Sequence, residues 1–271
     1  MENSQEQVIS RKWTLFKNQK IGEGAYGKVY KGKENTTGKI VAIKKIEYKK
    51  IQLDYLQLMK EIQMMMDTSE IDHPNLAKTL GHVVGDDEVY LVLELCEGTL
   101  QQLMKTKGQL TEQEAVTIGS QIVDGLYALH VDLGVSHRDL KIDNILIADG
   151  VFKITDFGMS TAKVQHSTKV GAYSVRPPEV LKGEKGDVSV DVWAFGVIMH
   201  EMMFQRLPFT NRGQNLESFV LSVMIDSYEI PSQPAISQEY RDMLCRCLEK
   251  DPSKRITIAQ LKAHPCFSGK K

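Results

Sequence analysis

The sequence predicts an α+β chain in two lobes: a small unit of antiparallel strands, then a larger and mainly helical one. Three observations point there. Up to about residue 95 the apolar residues come in short β-like runs separated by turns. After residue 99 they recur at helical spacing over long segments. Between the two, Glu94 to Gly98 breaks the pattern and supplies a glycine, which suits a short hinge. No internal repeat or low-complexity linker interrupts this order.

The strand runs are KVYKGKE, then IVAIKKI beyond the turn NTTGK, and later VYLVLEL. Their Val, Ile and Tyr content fits a pleated, half-buried surface. One helix interrupts them near residues 53–67, where Leu58, Glu61, Ile62 and Met65 fall at i, i+3, i+4 and i+7 on one face. Met64, Met65 and Met66 read as part of that helix's core rather than as a methionine-rich binding face. In the second half, Thr111-Glu112-Gln113-Glu114 is a capping box opening a helix to about His130. Another strong helix covers roughly Val190 to Phe204. Residues 1–12 are expected to be an N-terminal extension, 13–267 the folded domain, and 268–271 a tail. The lobes are expected at about 13–95 and 99–267, with the hinge at about 94–98.

Composition narrows the function classes. The chain has 271 residues, 42% hydrophobic and 25% charged, in the range of an ordinary globular protein. A net charge of −1 gives no global reason to expect nucleic acid or an anionic membrane as a partner. The four cysteines are too few and too scattered for a disulfide framework, and Cys245-x-Cys247 lacks a second ligand pair for zinc. No signal peptide opens the sequence, and no apolar stretch approaches the roughly 18–20 residues that span a bilayer. A cytoplasmic protein is expected, with nuclear entry open.

The chemistry lies in six short motifs. IGEGAYGKV, Ile21 to Val29, holds Gly22, Gly24 and Gly27 as G-x-G-x-x-G. Alone this is a weak signal, equally a glycine-rich hairpin turn. A dinucleotide fold would open a helix here, whereas Lys28-Val29-Tyr30-Lys31 continues as a strand. Val41-Ala42-Ile43-Lys44 is a strand ending in lysine, and Glu61 follows on the helix face. Such a lysine, set between a phosphate and a carboxylate, would be a fixed point charge. SHRDLKIDN, Ser136 to Asn144, packs His137, Arg138, Asp139, Lys141, Asp143 and Asn144 into nine residues beside apparent core. That density is costly unless each charge has a task or a partner. ITDFG, Ile154 to Gly158, follows, and then Pro177-Pro178-Glu179 and Asp191-Val192-Trp193-Ala194-Phe195-Gly196.

In this order the motifs resemble the eukaryotic protein kinases, over about residues 13–267. The resemblance implies a bilobal kinase fold and transfer of the γ-phosphoryl group of ATP to protein serine or threonine hydroxyls, with Mg²⁺. Ile21, Gly22, Glu23, Gly24, Ala25, Tyr26, Gly27 and Lys28 would form the loop over the phosphates. Val29 and Ala42 would cover adenine from above and Leu146 from below, with Leu93 behind the pocket and the backbone of Glu94 and Cys96 bonding the base. Lys44, paired with Glu61, would hold the α/β-phosphates; Asn144 and Asp156 would ligate Mg²⁺. Asp139 would take the hydroxyl proton and Lys141 would offset charge on the transferred group. His137 is expected to pack beneath Phe157, Asp191 to tie down the catalytic loop, and Arg255 to form a buried pair with Glu179. Arg138 would receive a phosphate from the activation segment, with Ser167 and Thr168 as the candidate acceptors. Protein substrates are the implied partners. A non-catalytic scaffold on this fold is the main alternative, set against by the presence of Lys44, Asp139, Asn144 and Asp156. A small-molecule kinase is a remoter one, set against by the segment around Pro177-Pro178-Glu179, which resembles a peptide-docking platform.

Several positions depart from the family pattern. Ile142 replaces a usual proline and Ser136 an apolar residue, and both are expected to be merely tolerated. Pro177 replaces alanine, and the single Gly98 leaves Glu97 and Thr99 both open as the ribose contact. Ala172 stands where Ser/Thr-selective relatives carry a threonine that bonds Asp139 and Lys141, so ordered water is expected in place of that hydroxyl, with Tyr173 or Ser174 as the alternative source.

Overall fold

The computed structural model describes residues 5–24, 27–51, 54–156, 174–209 and 216–268. They divide into two compact units, Met1–Glu97 and Gly98–Lys271.

In the first unit, β1 (Glu6–Val8), β2 (Trp13–Gly24), β3 (Gly27–Glu34), β4 (Ile40–Ile46), β5 (Thr79–Val84) and β6 (Val89–Glu94) form one antiparallel sheet. Its spatial order is β1-β2-β3-β4-β6-β5. Alternation along β4 sends Val41 and Ile43 into a core cluster with Trp13, Leu15, Tyr90 and Val92. By the same period of two, Ala42 and Lys44 face the opposite side of the sheet. The three runs legible in sequence are β3, β4 and β6. β1 lies within the expected N-terminal extension: Glu6 pairs with Phe16, and Gln7 Nε2 donates to the Tyr90 hydroxyl at 3.1 Å. The helix α1 (Tyr55–Ser69) starts after its cap Asp54, whose Oδ1 accepts from Gln57 N at 2.7 Å. Leu58, Glu61, Ile62 and Met65 are all buried, as the spacing predicts.

In the second unit, β7 (Gly98–Thr99), β8 (Ile145–Ala148) and β9 (Val151–Ile154) make a small antiparallel sheet. Helices α2 (Leu100–Lys107) and α3 (Glu112–Tyr127) each open with a capping box, Thr99 with Gln102 and Thr111 with Glu114. Where the sequence predicts helix to about His130, α3 ends at Tyr127 and continues as a π turn, Ala128–Asp132. The short α4 (Pro178–Leu181) leads to α5 (Ser189–Phe204), which is apolar around nearly its whole circumference and forms the centre of this unit. α6 (Leu216–Ile225) and α7 (Gln238–Cys247) pack against it, and α8 (Ile258–Lys262) packs on α3. Trp193 of α5 stacks on Phe209 with ring centroids 5.6 Å apart, in a cluster with Val197, Phe219, Val223 and Leu248. Cys247 and Cys266 are buried, and Cys245 is exposed. Among the described residues no helix is long and apolar enough to cross a membrane.

Candidate active site

The loop from Ser136 to Asn144 hangs on a single buried carboxylate. Asp191 sits in the first turn of α5, 1% exposed. Its Oδ1 accepts from Arg138 N at 2.7 Å; its Oδ2 accepts from His137 N at 2.6 Å, His130 Nε2 at 2.8 Å and Ser136 Oγ at 2.9 Å. Burial alone would push this carboxyl up, but the His130 bond, the nearby imidazoles and the Arg138 amide outweigh it and hold Asp191 below the usual carboxylate range. The π turn at the end of α3 carries His130 to this point, closing with Leu133 N on Ala128 O at 3.2 Å.

His137 is fully buried, and its partners fix its tautomer. Nδ1 accepts from Asp139 N at 3.2 Å, so Nε2 carries the hydrogen and donates to Thr155 O at 2.9 Å. The imidazole thus joins the loop to the strand end that precedes Asp156. Phe157, its expected neighbour, lies outside the described residues.

Around Asp139 the geometry is close. Lys141 Nζ lies 3.0 Å from Asp139 Oδ2, and Asn144 Nδ2 donates to Asp139 O at 2.8 Å and to Oδ2 at 3.2 Å. The loop closes in a 3₁₀ turn, Ile142–Asn144, and Thr155 N bonds Asn144 O at 3.0 Å. That last bond puts Asp156 one residue from the backbone of Asn144. Arg138 and Asp156 both hold left-handed backbone conformations, with φ of 62° and 60°. For residues with a Cβ such conformations are costly and persist where the surroundings over-determine them.

The donor chemistry here suits a hard divalent cation. With Nδ2 committed to Asp139, the side-chain atom left to Asn144 as a ligand is its oxygen, and Asp156 contributes a carboxylate. Two oxygen ligands with remaining positions for water and phosphate match magnesium better than zinc. No cluster of three His, Cys, Asp or Glu side chains suited to a metal occurs among the described residues.

The first unit holds the other predicted residues. Gly22, Glu23 and Gly24 end β2, and Gly27 and Lys28 begin β3, with Gly24 paired to Gly27 across the hairpin; Ala25 and Tyr26 lie outside the described residues. A Cβ on Gly24 would meet nothing within 4 Å, while one on Gly27 would lie 1.9 Å from Lys45 O. Gly24 therefore has open space beside it, whereas Gly27 sits tight against the sheet. Lys44 and Glu61 are 4% and 2% exposed, and Gln57 Nε2 donates to Glu61 Oε1 at 3.1 Å. Val29 pairs with Lys44 across β3 and β4, and Ala42 pairs with Leu93 across β4 and β6. Glu94 is pinned by Glu94 N on Lys78 O at 3.0 Å and by Lys78 N on Glu94 Oε1 at 2.7 Å. Ile21 is exposed, and Cys96 is half-buried. In the second unit Leu146 of β8 pairs with Thr99.

Glu179 and Arg255 form the expected buried pair, with Nη1 to Oε1 at 2.7 Å and Nη2 to Oε2 at 3.0 Å. Ser167, Thr168 and Ala172 lie outside the described residues. Sequence reading missed His130 and Ser136 as members of this site. The departure of Ser136 from the family pattern is the only signal that marks it.

Comparison with known proteins agrees with this geometry. The family profile described as protein kinase domain matches residues 15–267. The chain is 34% identical over 252 residues to sperm motility kinase 2B of Mus musculus, covering 90% of this chain and 50% of that protein. It is 32% identical over 268 residues to an Aurora kinase of Dictyostelium discoideum, covering 95% of this chain and 67% of that protein. To serine/threonine-protein kinase PLK4 of Aedes aegypti it is 33% identical over 254 residues, which is 32% of that protein. The chain thus spans about half the length of the first of these relatives and about two thirds of the second.

Proposed function

The chain belongs to the protein kinase family, and we propose that it transfers the γ-phosphoryl group of ATP to serine or threonine hydroxyls of protein substrates. The observation that carries this reading is the Asp139 cluster, with Lys141 Nζ at 3.0 Å from its carboxylate and Asn144 bonded to its backbone. Phosphoryl transfer gathers negative charge on oxygens between donor and acceptor, so catalysis is chiefly positioning and electrostatic stabilisation. Asp139 orients the acceptor hydroxyl and takes its proton. Lys141 offsets charge on the transferred group. Asn144 and Asp156 would hold Mg²⁺, which when bound would neutralise part of the phosphate charge. Lys44, set by Glu61, holds the α- and β-phosphates, and the hairpin from Ile21 to Lys28 covers them. Val29, Ala42 and Leu146 enclose the adenine, and the backbone of Glu94 and Cys96 bonds its edge.

The choice of hydroxyl rests on Lys141, two residues after Asp139, and is supported by the serine/threonine class in the name of the Aedes aegypti relative. The scaffold reading is not favoured, because Lys44, Asp139, Asn144 and Asp156 are all present. We further propose that Ser167 or Thr168 is the activating phosphosite, read by the exposed Arg138. Phosphorylation of a degenerate peptide library with radiolabelled ATP tests activity and residue preference together. Labelled serine or threonine is expected; labelled tyrosine alone, or no label with fully phosphorylated protein, overturns the proposal.

A further inference from the structure

Asp191 receives more donors than the two backbone amides it anchors. Its Oδ2 takes three: His137 N at 2.6 Å, His130 Nε2 at 2.8 Å and Ser136 Oγ at 2.9 Å. A fully buried carboxylate is tolerated when its lone pairs are filled, and each donor removed leaves part of a charge unsatisfied in a low-dielectric site. The hydroxyl comes from the residue immediately before the two anchored amides. It therefore acts on the same carboxylate and from the same stretch of chain. Directly downstream, Arg138 holds its costly left-handed conformation at φ 62°, and Asp139 projects from the next Cα. A backbone in that state needs a rigid frame, and Ser136 is one of its four hydrogen-bonded members.

We infer that Ser136 is a positioning residue for phosphoryl transfer: its hydroxyl completes the donor set on Asp191 and so fixes the backbone from which Asp139 reaches the acceptor. The inference rests on the reading of Asp139 as the base. Ser136 is not among the residues assigned to nucleotide contact, so its effect falls on the chemical step and not on ATP binding. The neighbouring π turn serves the same end, because it delivers His130 to the same Oδ2.

Ser136→Thr and Ser136→Val are nearly isosteric and differ in a hydroxyl against a methyl, so the pair isolates the bond. Two readouts are taken on each: kcat and KM for ATP with the best peptide from the library, and amide hydrogen exchange at His137 and Arg138. Hydrogen bonds to charged groups are among the stronger ones, so Ser136→Val should lower kcat about three- to tenfold with KM for ATP within about twofold. Exchange at the two amides should quicken, and Ser136→Thr should stay near wild type in both readouts. Equal kcat in the two variants overturns the inference, even where exchange differs, because the bond is then structural only. No turnover by fully phosphorylated wild-type protein overturns the proposed function and the catalytic part of this inference with it, while exchange still decides whether the frame exists.

Discussion

Removing the Arg255 side chain tests the interior of the helical unit. Its guanidinium is fully buried and makes a fork-to-fork pair with Glu179 at 2.7 and 3.0 Å. Nε also donates to Glu249 O at 2.9 Å, Nη1 to Ser189 O at 3.1 Å, and the Trp193 ring lies 5.2 Å from Cζ. Two unit charges about 4 Å apart attract by about 4 kcal/mol at an effective dielectric constant near 20. Arg255→Ala gives up that attraction and leaves the Glu179 carboxylate buried without its partner, a loss of about 3–5 kcal/mol. For a chain of this size each kcal/mol lowers the melting temperature by roughly 2–4 °C, so the fall should be roughly 6–20 °C. Urea denaturation and a thermal melt at pH 7 read it directly. The double variant Glu179→Leu/Arg255→Met should recover much of the loss, because a packed apolar pair carries no desolvated charge. An unchanged melting curve for Arg255→Ala would refute the reasoning, and a double variant as unstable as the single one would place the cost in packing instead.

Four further outcomes are expected. Asp139→Asn should lower kcat roughly 10²–10⁴-fold with ATP affinity near normal; wild-type turnover in that variant would remove Asp139 from the mechanism. The double variant Ser167→Ala/Thr168→Ala should leave the enzyme at its basal rate, with mass spectrometry finding one of the two modified in active wild type; full activity in the variant sinks that regulation. Gly196→Ala should cost about 1–3 kcal/mol, since the added Cβ would lie 2.7 Å from Cys247 Cβ and 3.1 Å from Leu248, and urea midpoints for the two proteins would coincide if the helices can part. Burial, with Arg206 nearby, pushes the His200 imidazole down to about 4 from 6.5, so the unfolded chain takes up the proton first. The stability this confers is complete above about pH 6.5 and drains away as pH falls towards 4, by about 2 kcal/mol between pH 7 and 5. His200→Phe should lose that part of the slope, and an identical pH dependence in the two proteins would assign the titration elsewhere.

What the sequence disclosed and what it withheld divide along a physical line. The face of Leu58, Glu61, Ile62 and Met65 was legible because helical periodicity is a local property, and all four are buried. Lys44, Asp139, Asn144 and Asp156 stand out in the sequence because the proposed chemistry demands particular side chains at particular spacings. The strands β1 and β5 were not. β1 is three residues long, and β5 is interrupted by Gly81 at an irregularity in its pairing, so neither shows a period. Each exists because a neighbouring strand offers it an edge, which is a tertiary fact.

The same line runs through the catalytic loop and explains why Ser136 could be noticed without being understood. In sequence, a serine beside His137 where an apolar residue is usual signals only a departure, and the loss of a methyl or two reads as tolerable. Its meaning depends on Asp191, 55 residues away, and on His130, which is 61 residues from Asp191. Nothing local predicts that these three meet, because the meeting requires α3 to end in a π turn and α5 to start beneath the loop. Once they do meet, the residue type matters: an apolar side chain would leave Oδ2 with two donors. The Ser136 hydroxyl adds a third donor to that buried charge. Departures from a family pattern next to a buried charge are therefore better tested as compensated sites than dismissed as drift, and at Ser136 the compensation is a bond of 2.9 Å.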